Sequence, residues 1–484
     1  MANTRLVPTI LLVLVLILAL GLRLLDAGGT LWVDEAWSVV NAGRVAPFTG
    51  IFLDINHDNN HHLNSLWIQL IGPEGSPLAY RALSIATSVA TVAVAAMIAG
   101  RHSRIAALTT ALLFAVAPMF VIVGSEARGY APMLLMTLFA VAVTDRWIAD
   151  PSRPMPRALL AVIATAGTLA HLGFALALPG LALWTMTSLT KTRSVRGAID
   201  AAVSLWLPSG IFCFSMIAAV ILIALTRTGA LTVGGYEAYS TALFVRALSN
   251  LAFLITGIGW VGVVAIAALS SFRGARNRLS ILCGFLAVTL PLIVLILRPG
   301  NSGIERYYIL TGMALLLYAG LKTGILIDAG GGRRWVAVGV LALLVSGSLV
   351  EDSRQIAGGR GAPENAIAAI ARLAPSGAIV ASQSVADVPV LSLAAEKAAY
   401  PLKVATDCRA ASFRFVGQIT GPTEKRWCGR YWRQIAAGQA RMPSGASWQL
   451  FVHDDLPSGT TAVSSPPSKR DDRISIRRAG VAQG

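Results

Sequence analysis

Two adjacent carboxylates, Asp34 and Glu35, lie in the segment WVDEAWS at 32–38, just after an apolar run at 8–25. A carboxylate can take the proton of an attacking hydroxyl group, and its neighbour offers an alternative base. Trp32 and Trp37 flank the pair, and indole rings favour the boundary between bilayer and water. Acids held at that boundary suit chemistry on a lipid-borne substrate. The bland alternative for Asp34 is a helix cap, since carboxylates also favour helix N-termini.

Further polar groups follow in DINHDNNHHLNSLWIQLIG at 54–72. His57 and His61 stand four residues apart, as do Asp54 and Asp58. On a helix each pair shares a face, and His-x-x-x-His can bind a divalent metal. No third ligand is set by the spacing, although Glu126 is a candidate, and solvated polar residues are the plain alternative. The second half of the stretch places Leu63, Leu66, Trp67 and Leu70 at helical spacing, which predicts a helix lying along the membrane interface.

Two short motifs add positive charge. SEARGY at 125–130 carries Arg128, and IERYY at 304–308 carries Arg306 followed by Tyr307. A guanidinium fork matches a phosphate bidentately, and a snorkelling arginine is the alternative.

The elements that must position these groups are membrane helices. Over 484 residues the chain is 55% hydrophobic, with a mean hydropathy of +0.66, far above a soluble globular protein. About eleven runs have bilayer-spanning length: 8–25, 78–100, 105–123, 129–149, 158–172, 174–190, 199–226, 246–270, 279–297, 307–327 and 335–350. No A-x-A-like site precedes the acidic loop, so the first run reads as a retained helix and not a cleaved signal. Alternate loops carry the basic residues, such as Arg101 and Arg104, Arg153 and Arg157, and Arg273 and Arg276. The positive-inside rule puts those loops and the N-terminus in the cytoplasm. The net charge of +16 is thus largely topological and calls for no nucleic acid. All the candidate chemical residues then share the outer side.

Three parts are expected. Residues 1–350 form a membrane domain with one long outer loop at 26–77. Residues 351–455 read as a small α/β domain, with a helix in PENAIAAIARLA and strands in GAIVAS and SWQLFVHDD. Residues 456–484, rich in Ser, Pro and Arg, read as a disordered basic tail. Cys213 and Cys283 fall within spans, whereas Cys408 and Cys428 share the outer domain, where an oxidising compartment permits a disulfide.

The order of WVDEAWS, NNHHLNSLW, EARGY and ERYY resembles that in the GT-C glycosyltransferases. The similar branch holds protein O-mannosyltransferases, aminoarabinose transferases and rhizobial galacturonosyltransferase-like proteins. Asn60-His61-His62-Leu63-Asn64 is similar to the family's N-H-x-L-N-like segment. The resemblance covers roughly residues 1–330 in layout and about thirty positions in motif.

It implies a polytopic α-helical GT-C-type fold and a transferase with a polyprenyl-phosphate sugar as donor. The acceptor would be a lipid, a polysaccharide or a protein of the cell envelope. By analogy Asp34 is the base or acceptor-orienting group, with Glu35 as alternative, and Arg128, Arg306 and Tyr307 engage the donor phosphate. A divalent metal at His57, His61 or Glu126 is a further option, since the branch is not uniform in metal use. A single base suits transfer with inversion. The location implied is a bacterial inner membrane, with site and C-terminal domain in the periplasm. A lipid-linked sugar flippase and an O-antigen ligase or polymerase are the rivals. The first would place polar residues near mid-membrane, and the second would carry its large outer loop late in the chain.

Overall fold

The computed structural model describes residues 3–453 except 233–236, 273–277, 406, 418–424 and 442. The tail at 456–484 and the loop arginines Arg273 and Arg276 therefore lie outside the described residues. The chain divides into two compact units, Met1–Arg360 with Ala440–Gly445, and Gly361–Gln439 with Ala446–Gly484.

The first unit is helical. It begins with α1 (Asn3–Asp26), followed by three short helices, α2 (Val33–Arg44), α3 (Gly50–Leu53) and α4 (His62–Ile71). Then come α5 (Pro77–Gly100), α6 (Arg104–Val116), α7 (Pro118–Gly124), α8 (Tyr130–Ala149), α9 (Arg157–Ala170), α10 (Leu178–Leu189) and α11 (Val195–Thr228). The unit closes with α12 (Thr241–Thr256), α13 (Trp260–Ala268), α14 (Arg278–Leu297), α15 (Ile309–Ala329) and α16 (Gly331–Gly358). Every apolar run expected to span is helical, but not all are straight crossings. Among the described residues eight helices have spanning length and hydropathy, or up to ten if each of two bent pairs is one span. The remaining run is α9, a helix of 14 residues.

Both bends have local causes. Between α6 and α7 the axis turns by 64° at Pro118, which lacks an N–H and crowds the carbonyl four residues back. Between α12 and the stretch Trp260–Ser271 it turns by 69°, where Gly257 and Gly259 adopt φ of 72° and 67°. Only glycine takes such values without strain.

The buried face of α4 is mostly polar, with Ile68 its one apolar member, and the outer face is apolar. His62, Asn64 and Ser65 are buried, while Leu63, Leu66 and Trp67 are half-buried and Leu70 is exposed. That inversion is what a helix packed on a polar site and bordered by lipid requires.

The second unit is a six-stranded mixed sheet in the order β2-β1-β3-β6-β5-β4. Its strands are β1 (Ala378–Ser382), β2 (Leu402–Ala405), β3 (Phe413–Val416), β4 (Arg426–Trp427), β5 (Arg430–Gly438) and β6 (Trp448–His453). β1 runs parallel to β2 and β3, and β6 is antiparallel to β3 and β5. Two helices, α17 (Glu364–Leu373) and α18 (Asp387–Lys397), join it, and Ile367, Ile370, Leu391, Val380, Phe413 and Leu450 build one core. The helix and both strands expected from sequence are present. The boundary differs from the expected 351, because α16 continues to Gly358 and the unit begins at Gly361. A disulfide joins Cys408 and Cys428.

Candidate active site

The site grows from buried arginines that organise the chain at one end of the helical unit. Arg23, in the last turn of α1, is completely buried. Its guanidinium donates to the carbonyls of Ala115 (2.8 Å) and Phe114 (3.1 Å) and to Ser88 Oγ (2.7 Å). Phe114 is the residue whose helical partner would be the missing N–H of Pro118. Arg23 therefore satisfies the carbonyls that the proline break leaves open. The break ends α6 early, and the short α7 then delivers the loop 125–129.

The same loop is fixed from the other side by Glu35. This residue is fully buried and accepts from Arg81 Nε at 2.8 Å and Arg81 Nη2 at 2.6 Å. It also accepts the backbone N–H groups of Ala127 (2.7 Å) and Trp32 (3.1 Å), and Arg360 Nη1 lies 3.6 Å away. Burial works against its charge, but Arg81 outweighs that and holds the carboxyl down at about 2. Asn64 adds a bond from Nδ2 to the Ala127 carbonyl at 2.5 Å. Glu35 thus ties α2, α5 and the 125–129 loop together. Its oxygens are all engaged and it has no face toward an acceptor, which corrects the expectation of an alternative base.

Asp34, one residue earlier, is different. Its side chain keeps a third of its surface exposed, and Oδ2 lies 2.6 Å from Arg128 Nη1 and 3.6 Å from Arg306 Nη1. The short contact with Arg128 is an ion pair that lacks hydrogen-bond alignment. Asp34 is the second residue of α2, whose N-cap is Trp32, so its carboxylate is not spent as a cap. Asn59 completes the arrangement by donating to the Asp34 carbonyl (2.8 Å) and accepting from Arg128 Nη2 (2.7 Å). The Trp32 ring supports both cations, with Arg306 4.7 Å and Arg128 5.7 Å from its centroid.

Arg306 sits on the short 3-10 turn Glu305–Tyr308 and donates through Nη2 to the Pro443 carbonyl at 2.8 Å. Glu126 is buried beside it, with Oε2 3.6 Å from Arg306 Nη1 and Oε1 accepting from Ser444 Oγ at 2.7 Å. Burial raises the Glu126 carboxyl above the ordinary range, against the pull of Arg306, Arg128 and Arg360. Behind Arg128, His61, His171 and Tyr130 form a stack, with ring centroids 4.8 Å (His61–His171) and 4.4 Å (Tyr130–His171) apart. Burial drives both imidazoles down, His171 to about 3, and Arg128 adds to the effect. They are neutral hydrogen-bonding groups at ordinary pH.

A cavity of about 210 Å³ opens beside this cluster. Tyr130, His171, Arg306 and Tyr307 line it together with the apolar Leu176, Leu290 and Val294. A charged end and a greasy wall therefore meet at Arg306.

The structure brings together Asp34, Glu35, Glu126, Arg128, Arg306 and Tyr307, but it does not join Glu126 to His57 and His61 as metal ligands. Residues 57–61 are not helical. The His57 ring stacks on Trp37 at 5.5 Å and pairs with Asp58 at 2.8 Å, whereas His61 belongs to the imidazole stack. Glu126 faces Arg306, and no group of three or more His, Cys, Asp or Glu placed for a metal occurs among the described residues. The carboxylates of Asp34 and Glu126 face the guanidinium groups of Arg128 and Arg306, so His57, His61 and Glu126 do not form one ligand set.

Sequence reading missed Asn59, Arg81, Arg360, Ser444 and the His171 stack. Arg81 carried a signal, because a lone charge in an apolar run demands a buried partner.

This geometry is set on a bundle of membrane-length apolar helices, with a sheet unit toward the C-terminus, which is the architecture of a polytopic α-helical membrane protein. No family model and no curated protein matches the sequence. Among solved structures the fold is similar to that of ArnT from Cupriavidus metallidurans in the apo state. The TM-score is 0.53 at 12% identity, over 93% of this chain and 98% of that one. It is also similar to the apo oligosaccharyltransferase of Archaeoglobus fulgidus, with a TM-score of 0.50 at 11% identity, over 83% of this chain and 65% of that one.

Proposed function

We propose that the protein is an integral membrane glycosyltransferase. It moves a sugar from a polyprenyl-phosphate donor to a cell-envelope acceptor on the outer face of a bacterial inner membrane. The single observation that carries this reading is the partly exposed Asp34 carboxylate, held against Arg128 and against Arg306, which itself lines an apolar cavity. The GT-C-type fold shared with ArnT, in a branch that includes aminoarabinose transferases, supports it.

The chemistry follows from charge. The donor phosphodiester carries one negative charge, and the departing polyprenyl monophosphate gains a second. Arg128 and Arg306 meet that added charge in a site screened from water, where such stabilisation is largest. The acceptor hydroxyl oxygen attacks the anomeric carbon while its proton passes to Asp34 and the carbon–oxygen bond to phosphate breaks. Asp34 is the accessible acid of the cluster, since Glu35 and Glu126 are fully shielded. One base and no separate nucleophile give inversion. The prenyl chain lies along the Leu176, Leu290 and Val294 wall, and Tyr307 borders the phosphate.

The Cys408–Cys428 disulfide suits an oxidising compartment and supports a periplasmic C-terminal unit with the N-terminus in the cytoplasm. A transporter would keep polar groups exposed along a mid-membrane path, whereas Arg23 is consumed by backbone carbonyls and the Ser88 hydroxyl, and Arg81 by carbonyls and the Glu35 carboxylate. The test offers the purified protein polyprenyl-monophosphate sugars and polyprenyl-diphosphate sugars with an envelope extract as acceptor. Release of polyprenyl monophosphate, seen by mass spectrometry, is the expected result. Use of the diphosphate donor alone would favour a ligase, and no sugar transfer from either donor would favour transport.

A further inference from the structure

Arg306 is held by a segment far away in sequence. Ala440–Gly445 belongs to the helical unit, although the chain on either side of it belongs to the sheet unit. The segment is anchored by an antiparallel bridge between Arg360 and Ala440 and by Arg441 Nη2 on Glu351 Oε1 at 2.6 Å. At Gly445 a Cβ would come within 2.6 Å of Ala440 Cβ and 3.1 Å of Arg360 Cα, so this close approach requires glycine. The outcome is that two groups reach the charged cluster: the Pro443 carbonyl, which accepts from Arg306 Nη2, and the completely buried Ser444 hydroxyl, which donates to Glu126 Oε1.

We propose that Pro443 and Ser444 are positioning groups for Arg306, so that the Ala440–Gly445 segment completes the donor-phosphate site; this rests on the glycosyltransferase reading above. With Nη2 committed to Pro443 and the guanidinium face on Trp32, Nη1 is the edge left facing Asp34 and Glu126. It is buried and has no hydrogen-bond partner, which is the condition of a donor waiting for an anionic oxygen. Ser444 keeps Glu126 from closing on that edge. Deprived of the hydroxyl, the buried Glu126 carboxylate turns to Arg306 for its missing bond and competes with the phosphate. The segment thus gives the C-terminal part of the chain a role in catalysis that acts through Arg306 and not by contact with the sugar.

The experiment uses full-length protein in lipid nanodiscs with polyprenyl monophosphate as the probe. Ser444→Ala is expected to weaken its binding roughly tenfold, the scale of one buried charged group left unsatisfied. The donor KM rises by the same factor while the acceptor KM and the melting temperature stay near wild type. Ser444→Thr, which keeps the hydroxyl, restores both. Gly445→Ala, which displaces the segment without removing a polar group, gives the same donor-specific loss. Wild-type affinity in Ser444→Ala overturns the proposal, as does a loss that follows the melting temperature and is not restored by Thr. Failure of the wild-type protein to bind polyprenyl monophosphate overturns the transferase reading itself, and is distinguishable from both.

Discussion

Glu35 and Arg81 face one another through two hydrogen bonds, of 2.8 and 2.6 Å, with both side chains fully shielded, one residue away from an Asp34 that keeps a third of its side chain exposed. Consecutive acids are thereby divided between architecture and chemistry. Glu35→Gln removes the charge that Arg81 and Arg360 require. Breaking a buried pair in this way costs about 3–5 kcal/mol, so a large drop in melting temperature is expected, with activity lost in proportion to folded protein.

The cations are not interchangeable with lysine. Arg128→Ala and Arg306→Ala should each lower kcat on the order of a hundredfold, as the removal of one preorganised charge donor does. Lysine at either position keeps the charge but not the fork, so partial recovery is expected. Full recovery by lysine in a steady-state transfer assay would reduce these residues to point charges.

The imidazole stack gives a pH signature. His171 is held at about 3 in the folded protein against an ordinary 6.5, by burial and then by Arg128. Because the folded value is the lower one, its contribution to stability is full above pH 6.5 and is lost as pH falls toward about 3. Wild type should melt progressively earlier across that window, and His171→Phe, which keeps a ring against Tyr130, should flatten the slope. An unchanged slope would show that the ring does not titrate on unfolding.

Arg23 and Pro118 make a coupled pair. Arg23→Met leaves two carbonyls without donors, at about 1–3 kcal/mol each, so the melting temperature falls. Adding Pro118→Ala restores an N–H for the Phe114 carbonyl. The double variant should regain stability yet stay inactive, because a straightened helix no longer delivers Arg128 to Asp34. Recovery of transfer would show that the bend does not position the loop.

Much of this was legible in the sequence, and the reason is periodicity. Apolar runs of bilayer length announced the helices, and Leu63, Leu66, Trp67 and Leu70 announced α4. The acidic pair and the two arginines were legible as types, because charges at the ends of apolar runs are costly without purpose. What could not be read was partnership. Nothing local distinguishes Asp34 from Glu35, since the difference lies in Arg81, 46 residues on. His57 and His61 looked like a helical pair, but the chain between α3 and α4 turns instead, with His57 bridged to Thr232. The contact of Ser444 with Glu126 spans 318 residues, beyond any spacing rule.

The central claim is that Asp34 is the base of a sugar transfer. Its most direct test is mass spectrometry of envelope glycolipids and polysaccharides from a deletion strain complemented with wild type or with Asp34→Asn. The account predicts that one sugar mass disappears in the deletion strain, returns with wild type and stays absent with Asp34→Asn at a normal protein level. Full return of that mass with Asp34→Asn would contradict it.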